Sequence, residues 1–216
     1  MFLGHYALAL AAKKAAPKTS LGTLVLAAQF LDFLWPLFLL LGLEHVRIAP
    51  GNTVFTPLDF YDYPISHSLL AALGWALGWG LIYFFQRRNA RSAILLGACV
   101  LSHWLLDAGT HRTDLPLLPG GMTRIGLGLW NHFAATVVVE ALLFVIGVFI
   151  YARATIAADR IGRFAFLGLI LFLGGIWLAN MFSPPPPNET AIAVAALSLW
   201  LTVPWAHWFD QHRHVR

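Results

Sequence analysis

The chain has 216 residues, 59% of them hydrophobic and 11% charged, with a mean hydropathy of +0.71. Soluble domains carry roughly 25% charged residues, so this composition excludes an ordinary soluble domain and leaves room for about six membrane spans with short loops. The net charge of +4 comes with no nucleic-acid motif and no nucleotide-phosphate loop, and the single cysteine, Cys99, excludes an internal disulfide and reads as a small buried hydrophobe.

In chain order, Met1 to Ala12 is apolar, but Lys13, Lys14 and Lys18 follow it instead of preceding it. It does not read as a cleaved signal peptide. It is too short to span and is predicted as a short interfacial or re-entrant helix. Spans are predicted near 22–42, 65–85, 92–111, 128–150, 164–182 and 190–208, each close to the roughly 20 residues that cross a bilayer. Turn and breaker residues separate them: Pro50-Gly51-Asn52, Arg87-Arg88-Asn89, Pro119-Gly120-Gly121 and Pro184 to Pro187. Proline lacks the amide donor and clashes with the preceding turn, so the last run is a rigid loop. The expected fold is an all-α polytopic helix bundle, one integral membrane domain over 1–216.

Lysine and arginine divide unevenly among the connections. Lys13, Lys14, Lys18, Arg87, Arg88, Arg91, Arg153, Arg160, Arg163, Arg213 and Arg216 fall on one side, and only Arg47, Arg112 and Arg124 on the other. By the positive-inside rule this predicts six spans with both termini cytoplasmic. The acidic loop residues Glu44, Asp59, Asp62, Asp114 and Glu189 fall mostly on the outer side. Trp35, Tyr61, Tyr63, Trp130, Tyr151, Trp205 and Trp208 sit near predicted span ends, as an aromatic belt does.

Several polar residues interrupt the apolar stretches. His5 lies in the N-terminal helix and, on its own, reads as interfacial. Asp32 lies near the centre of the first span, where a carboxylate must be neutral, paired or metal-bound. His67, in Ser66-His67-Ser68, opens the second span, and the serines are placed to orient its second ring nitrogen. His103, Asp107 and His111 follow i, i+4, i+8 spacing, which stacks them on nearly one face of a helix. At 1.5 Å per residue this stripe runs from about 16 Å to about 28 Å along the third span. Imidazole and carboxylate are the ligands of zinc and related ions, so the stripe reads as a metal or catalytic site, against the alternative of a hydrogen-bonded seam between helices. Arg112 and Asp114 follow directly. They pair with each other, or Arg112 holds an anionic group of a substrate. Glu140 lies mid-span in the fourth stretch as a ligand, a general base or a buried hydrogen-bonding acid. His132 reads as interfacial, and His207, His212 and His214 belong to a cytoplasmic tail.

The order His5, Asp32, Pro64-Ile65-Ser66-His67-Ser68 and Ser102-His103 to Asp107 resembles the bacterial inner-membrane metal-dependent hydrolases, a group that includes the LexA-binding, inner-membrane-associated hydrolases. The match covers residues 1 to about 111. The resemblance implies an inner-membrane location and a hydrolytic activity, and it adds His5 to the metal ligands. The leading expectation is a membrane-embedded hydrolase with a divalent ion, zinc first, held by His67, His103 and Asp107, with Asp32 and His5 or His111 completing the set. Asp32 or Glu140 would take the proton from an activated water. A site open toward the outer leaflet points to a lipid or lipid-linked phosphoester or ester. A proton- or cation-coupled transporter using Asp32, Asp107, Glu140, His103 and His111 is the alternative, and a non-catalytic membrane scaffold is the third.

Overall fold

The computed structural model describes residues 1–216. Helix α1 (Phe2–Ala15) leads into α2 (Leu21–Ala28) and α3 (Phe30–Leu40), followed by the antiparallel strands β1 (His45–Ile48) and β2 (Leu58–Asp62). A single turn, α4 (Pro64–His67), precedes the long α5 (Leu69–Arg87) and α6 (Ala90–Thr110). A two-residue pair, β3 (Leu115–Pro116) and β4 (Arg124–Ile125), leads to α7 (Phe133–Ala154). Then come β5 (Thr155–Ala157), α8 (Arg160–Phe182), α9 (Glu189–Ser198), α10 (Thr202–Gln211) and β6 (Arg213–Val215), with β6 pairing back onto β5.

Five helical stretches are long and apolar enough to cross a membrane, and six if α2 and α3 count as one broken span. The all-α bundle is therefore as expected. The three short strand pairs add β structure to connections that read as loops in the sequence. Large apolar side chains face outward along the long helices. Leu70, Leu73, Leu77 and Leu81 do so on α5, and Val138, Leu142, Val145 and Phe149 on α7. This is the surface of a chain whose surroundings are apolar.

Three local departures from straight spans shape the interior. The first is the bend of 57° between α2 and α3 at Gln29. Pro36 inside α3 adds to the irregularity, because it has no N–H for the Asp32 carbonyl. The second is α1, which is packed inside the bundle instead of lying at its edge. Leu3, His5, Tyr6, Ala9 and Leu10 are all buried. The third is Ser68, whose extended backbone separates α4 from α5 while its side chain caps α5 at Ala71 N.

Helix α1 lies against α7 closely enough that a Cβ on Gly147 would stand 2.5 Å from the Ala7 carbonyl oxygen. Small residues permit such backbone approach where no hydrophobic driving force separates helix from lipid. At the other end of α1, Lys13 Nζ donates to Asp210 Oδ2 (2.6 Å) and to the Thr19 carbonyl (2.9 Å). Asp210 also accepts from Leu21 N (2.9 Å) and from the Tyr151 hydroxyl (2.7 Å). One buried carboxylate thus joins α1, α2, α7 and α10. Nearby, Arg213 donates to Thr155 Oγ1 and to the Gly162 carbonyl, and Thr19 meets the Tyr83 hydroxyl. The loops carrying the eleven basic residues therefore gather at one end. The remaining three arginines gather at the other, where Arg112 pairs with Asp59 and Asp114, and Arg124 donates to the Tyr61 carbonyl.

Two measurements check this packing. Gly147→Leu should lower unfolding stability in detergent by about 1–3 kcal/mol through overpacking, while Gly175→Leu, where an added Cβ meets nothing within 4 Å, should leave it unchanged. Lys13→Met should cost about 3–5 kcal/mol by stranding the Asp210 carboxylate. Adding Asp210→Asn to that variant should recover part of the loss, since the amide oxygen still accepts while the charge is gone.

Candidate metal centre

Four elements converge on one point in the bundle. Helix α6 supplies His103 and Asp107, one turn apart on its buried face. The α4 turn supplies His67, and the first turn of α3, just after the bend, supplies Asp32. The first turn of α1 supplies His5.

Asp32 Oδ1 stands 3.6 Å from His67 Nε2 and 3.5 Å from His103 Nε2. Asp107 Oδ2 stands 3.7 Å and 3.3 Å from the same two nitrogens. The other Asp107 oxygen faces α1: Oδ1 lies 3.2 Å from His5 Nε2 and accepts from the Met1 nitrogen at 2.5 Å. The His5 and His103 rings stack at 3.5 Å with 6° between their planes.

The outward-facing ring nitrogens set the tautomers. His103 Nδ1 lies 2.8 Å from the Ala28 carbonyl oxygen. A carbonyl only accepts, so Nδ1 carries a proton, and Nε2 is the nitrogen that faces the two carboxylates, a lone pair there whenever the ring is neutral. That Nε2 is buried and has no hydrogen-bond partner. The bend at Gln29 is what frees the Ala28 carbonyl for this contact. His67 Nδ1 lies 2.7 Å from Ser66 Oγ, which leaves its Nε2 also facing the carboxylates. Two ring nitrogens thus face two carboxylate oxygens, and Asp32, His67 and His103 form one group of donors within 4.8 Å of one another. Ligands about 2.0–2.2 Å from a tetrahedral ion stand roughly 3.3–3.6 Å apart, and the four measured separations fall at or near that spacing. His5, His103 and Asp107 form a second group of donors within 4.8 Å of one another, and the two groups share His103. The residues present therefore fit a divalent cation of borderline softness.

Access is uneven. The side chains of His67, His103 and Asp107 are 0–5% exposed, whereas that of Asp32 is 37% exposed. One edge of the cluster is open.

Three expected residues do not join it. Helix α6 ends at Thr110, and His111 adopts an extended backbone (φ −62, ψ 149), so the helical stripe stops before its third member. His111 Nδ1 is instead 2.9 Å from Asp114 Oδ1 and within 3.2 Å of the Tyr63 hydroxyl. Burial and the neighbouring Asp114 carboxylate push that hydroxyl well above its ordinary pKa, so it stays a neutral donor. Arg112 is occupied by Asp59 and Asp114 in the same outer network and does not reach the centre. Glu140 accepts the Leu3 N–H at 2.9 Å. It supplies from α7 a partner for one of the unpaired first-turn donors of α1, which has no side-chain cap of its own.

One acid was missed. Glu44 reads in the sequence only as one of the acidic outer-loop residues, yet it is fully buried beside α4. It accepts from Ile65 N and Ser66 N at 2.7 Å each and from the Ser66 hydroxyl at 2.6 Å. Burial raises its carboxyl above the ordinary range, against these three hydrogen bonds, which act to lower it. No spacing signal marks Glu44, because its partners lie 21 and 22 residues away. Comparison with family models, curated proteins and solved structures gave no match.

Proposed function

We propose that this chain is a membrane-embedded metal-dependent hydrolase of the bacterial inner membrane, acting on a lipid or lipid-linked phosphoester or ester. The observation that carries the reading is the convergence of Asp32 Oδ1 and Asp107 Oδ2 on the Nε2 atoms of His67 and His103, with nitrogen–oxygen separations of 3.3–3.7 Å. Two carboxylates in an apolar bundle call for compensating positive charge; the Met1 nitrogen meets only Asp107 Oδ1, and neutral imidazoles would leave Asp32 and Asp107 Oδ2 to a bound cation. These four residues would hold a zinc or similar ion, with His5 on the far side of Asp107. When bound, the ion would supply Lewis acidity and an acidified water. Structural zinc sites are closed and catalytic ones keep an open position; the exposed edge at Asp32 supports the catalytic case. Asp32 is placed to take a proton there, since its Oδ2 makes none of the cluster contacts. Glu140 holds the start of α1 and is the weaker candidate for that step. The order of the motifs, with its resemblance to the inner-membrane hydrolases, supports the reaction class, and the apolar exterior of the long helices supports a lipid substrate.

A second reading, proton- or cation-coupled transport, rests on Glu140. Its Oε1 is buried without a partner, and α1 links it to Asp107 through Leu3 N and the Met1 nitrogen. Ion uptake into proteoliposomes that persists after complete metal removal would favour that reading over hydrolysis.

Elemental analysis of the detergent-purified protein tests the first. Wild type and His111→Ala should carry near-stoichiometric transition metal, while His103→Ala and Asp107→Ala should lose it. Absence of metal from the wild type after reconstitution with excess zinc, or equal metal in all four proteins, would overturn the assignment.

A further inference from the structure

We propose that Glu44 is a positioning residue that fixes the protonation of His67 through Ser66, so that His67 presents a lone pair, and not an N–H, to the centre. The inference rests on the metal-centre reading above, and its chemistry lies in the direction of one hydrogen-bond chain. Glu44 Oε1 accepts the Ile65 and Ser66 amides, which fixes the carboxylate at the start of α4. Its Oε2 then accepts the Ser66 hydroxyl proton at 2.6 Å. A serine hydroxyl has a single proton. With that proton committed to Glu44, Ser66 Oγ can only accept from His67 Nδ1, 2.7 Å away. Nδ1 must then carry a ring proton, and in the neutral ring Nε2 is bare. The Nε2 distances of 3.6 and 3.7 Å to Asp32 and Asp107 agree, being longer than a hydrogen bond. All three members are buried: Glu44 and Ser66 are 0% exposed, and His67 is 4% exposed. No water competes for the chain in such a place. His103 reaches the same tautomer by a shorter route, through the Ala28 carbonyl. His67 has no backbone carbonyl in that position, and the carboxylate–serine pair replaces it.

The direction of the chain makes a sharp substitution available. In Glu44→Gln the amide oxygen can still accept the two backbone N–H groups, but the amide nitrogen facing Ser66 becomes a donor. Ser66 must then give its own proton to His67 Nδ1, which moves the ring proton to Nε2 and removes the lone pair. Two readouts separate this from loss of fold. Zinc affinity, measured by competition with a chelator, should fall about 10- to 100-fold in Glu44→Gln, the usual size of an effect through a ligand's hydrogen-bond partner. Imidazole ¹⁵N spectra of the metal-free protein should show His67 protonated at Nδ1 in wild type and at Nε2 in the variant. Ser66→Ala, which leaves both backbone bonds to Glu44 intact, should also weaken zinc and is the variant to read if Glu44→Gln does not fold. Unchanged zinc affinity in the variants with wild-type binding intact, or His67 protonated at Nε2 in wild type, would overturn the role of Glu44. Absence of zinc from wild type would instead overturn the metal reading, and the spectra alone would still decide the direction of the chain.

Discussion

Two carboxylates held inside an apolar bundle are the constraint on which the rest of this structure depends. Asp32 and Asp107 share the nitrogens of His67 and His103, and a charge of that size at such depth costs several kcal/mol or more unless it is compensated. Each irregularity of the fold relieves this. The bend at Gln29 turns Asp32 toward α6 and frees the Ala28 carbonyl to orient His103. The α4 turn, set off from α5 by the extended Ser68, brings His67 to the level of His103. Helix α1, inserted between α2, α6 and α7, brings His5 and the Met1 nitrogen to the far oxygen of Asp107. Non-helical backbone at membrane depth is tolerated only where protein buries it, and here both breaks, at Gln29 and at Ser68, lie against the cluster.

The two ends of the bundle are built on different principles. At the Lys/Arg-rich end, Asp210 collects donors from α1, α2 and α7, and β6 closes over β5, so that the long connections are tied to one another. At the opposite end, Arg112, Asp59, Asp114, His111 and Tyr63 form a network that roofs the cluster without joining it. Tyr63 stands between the two, with its ring centroid 5.2 Å from that of His67 and 6.0 Å from that of His111. The outer network is one-third or more exposed at Arg112. Its charge pairs therefore contribute less to stability than the buried Lys13–Asp210 pair.

The span pattern was legible because hydropathy over 20 residues reports the solvent a helix requires, and it needs no knowledge of neighbours. The pair His103 and Asp107 was legible for a related reason: both sit on one helix, and i, i+4 spacing fixes their common face. That logic failed at His111, because helix α6 stops at Thr110 and periodicity does not announce its own end. Asp32 stood out as a lone acid in an apolar run, but its partners could not be read, since they depend on a bend that neither glycine nor proline at position 29 announces. His5 gained its place only through the resemblance of motif order, since a buried helix of 14 residues is indistinguishable in composition from an interfacial one. Glu44 was misread because burial of a loop acid follows from tertiary contacts with α4, which no local pattern encodes.

The division of labour between the Asp107 oxygens ties the cluster to the seating of α1. Oδ2 faces His67 and His103, while Oδ1 holds His5 and the Met1 nitrogen. The cation proposed above, if held by the first oxygen, would withdraw charge from the second and so weaken the hold on the start of α1. That helix is otherwise fixed by Glu140 at Leu3, by the close approach at Gly147 and by Lys13 at Asp210. These three contacts lie on the α7 and α10 side and do not involve the cluster. The seating of α1 therefore does not rest on the Asp107 contact alone, and the helix that closes one side of the cluster has anchors independent of it.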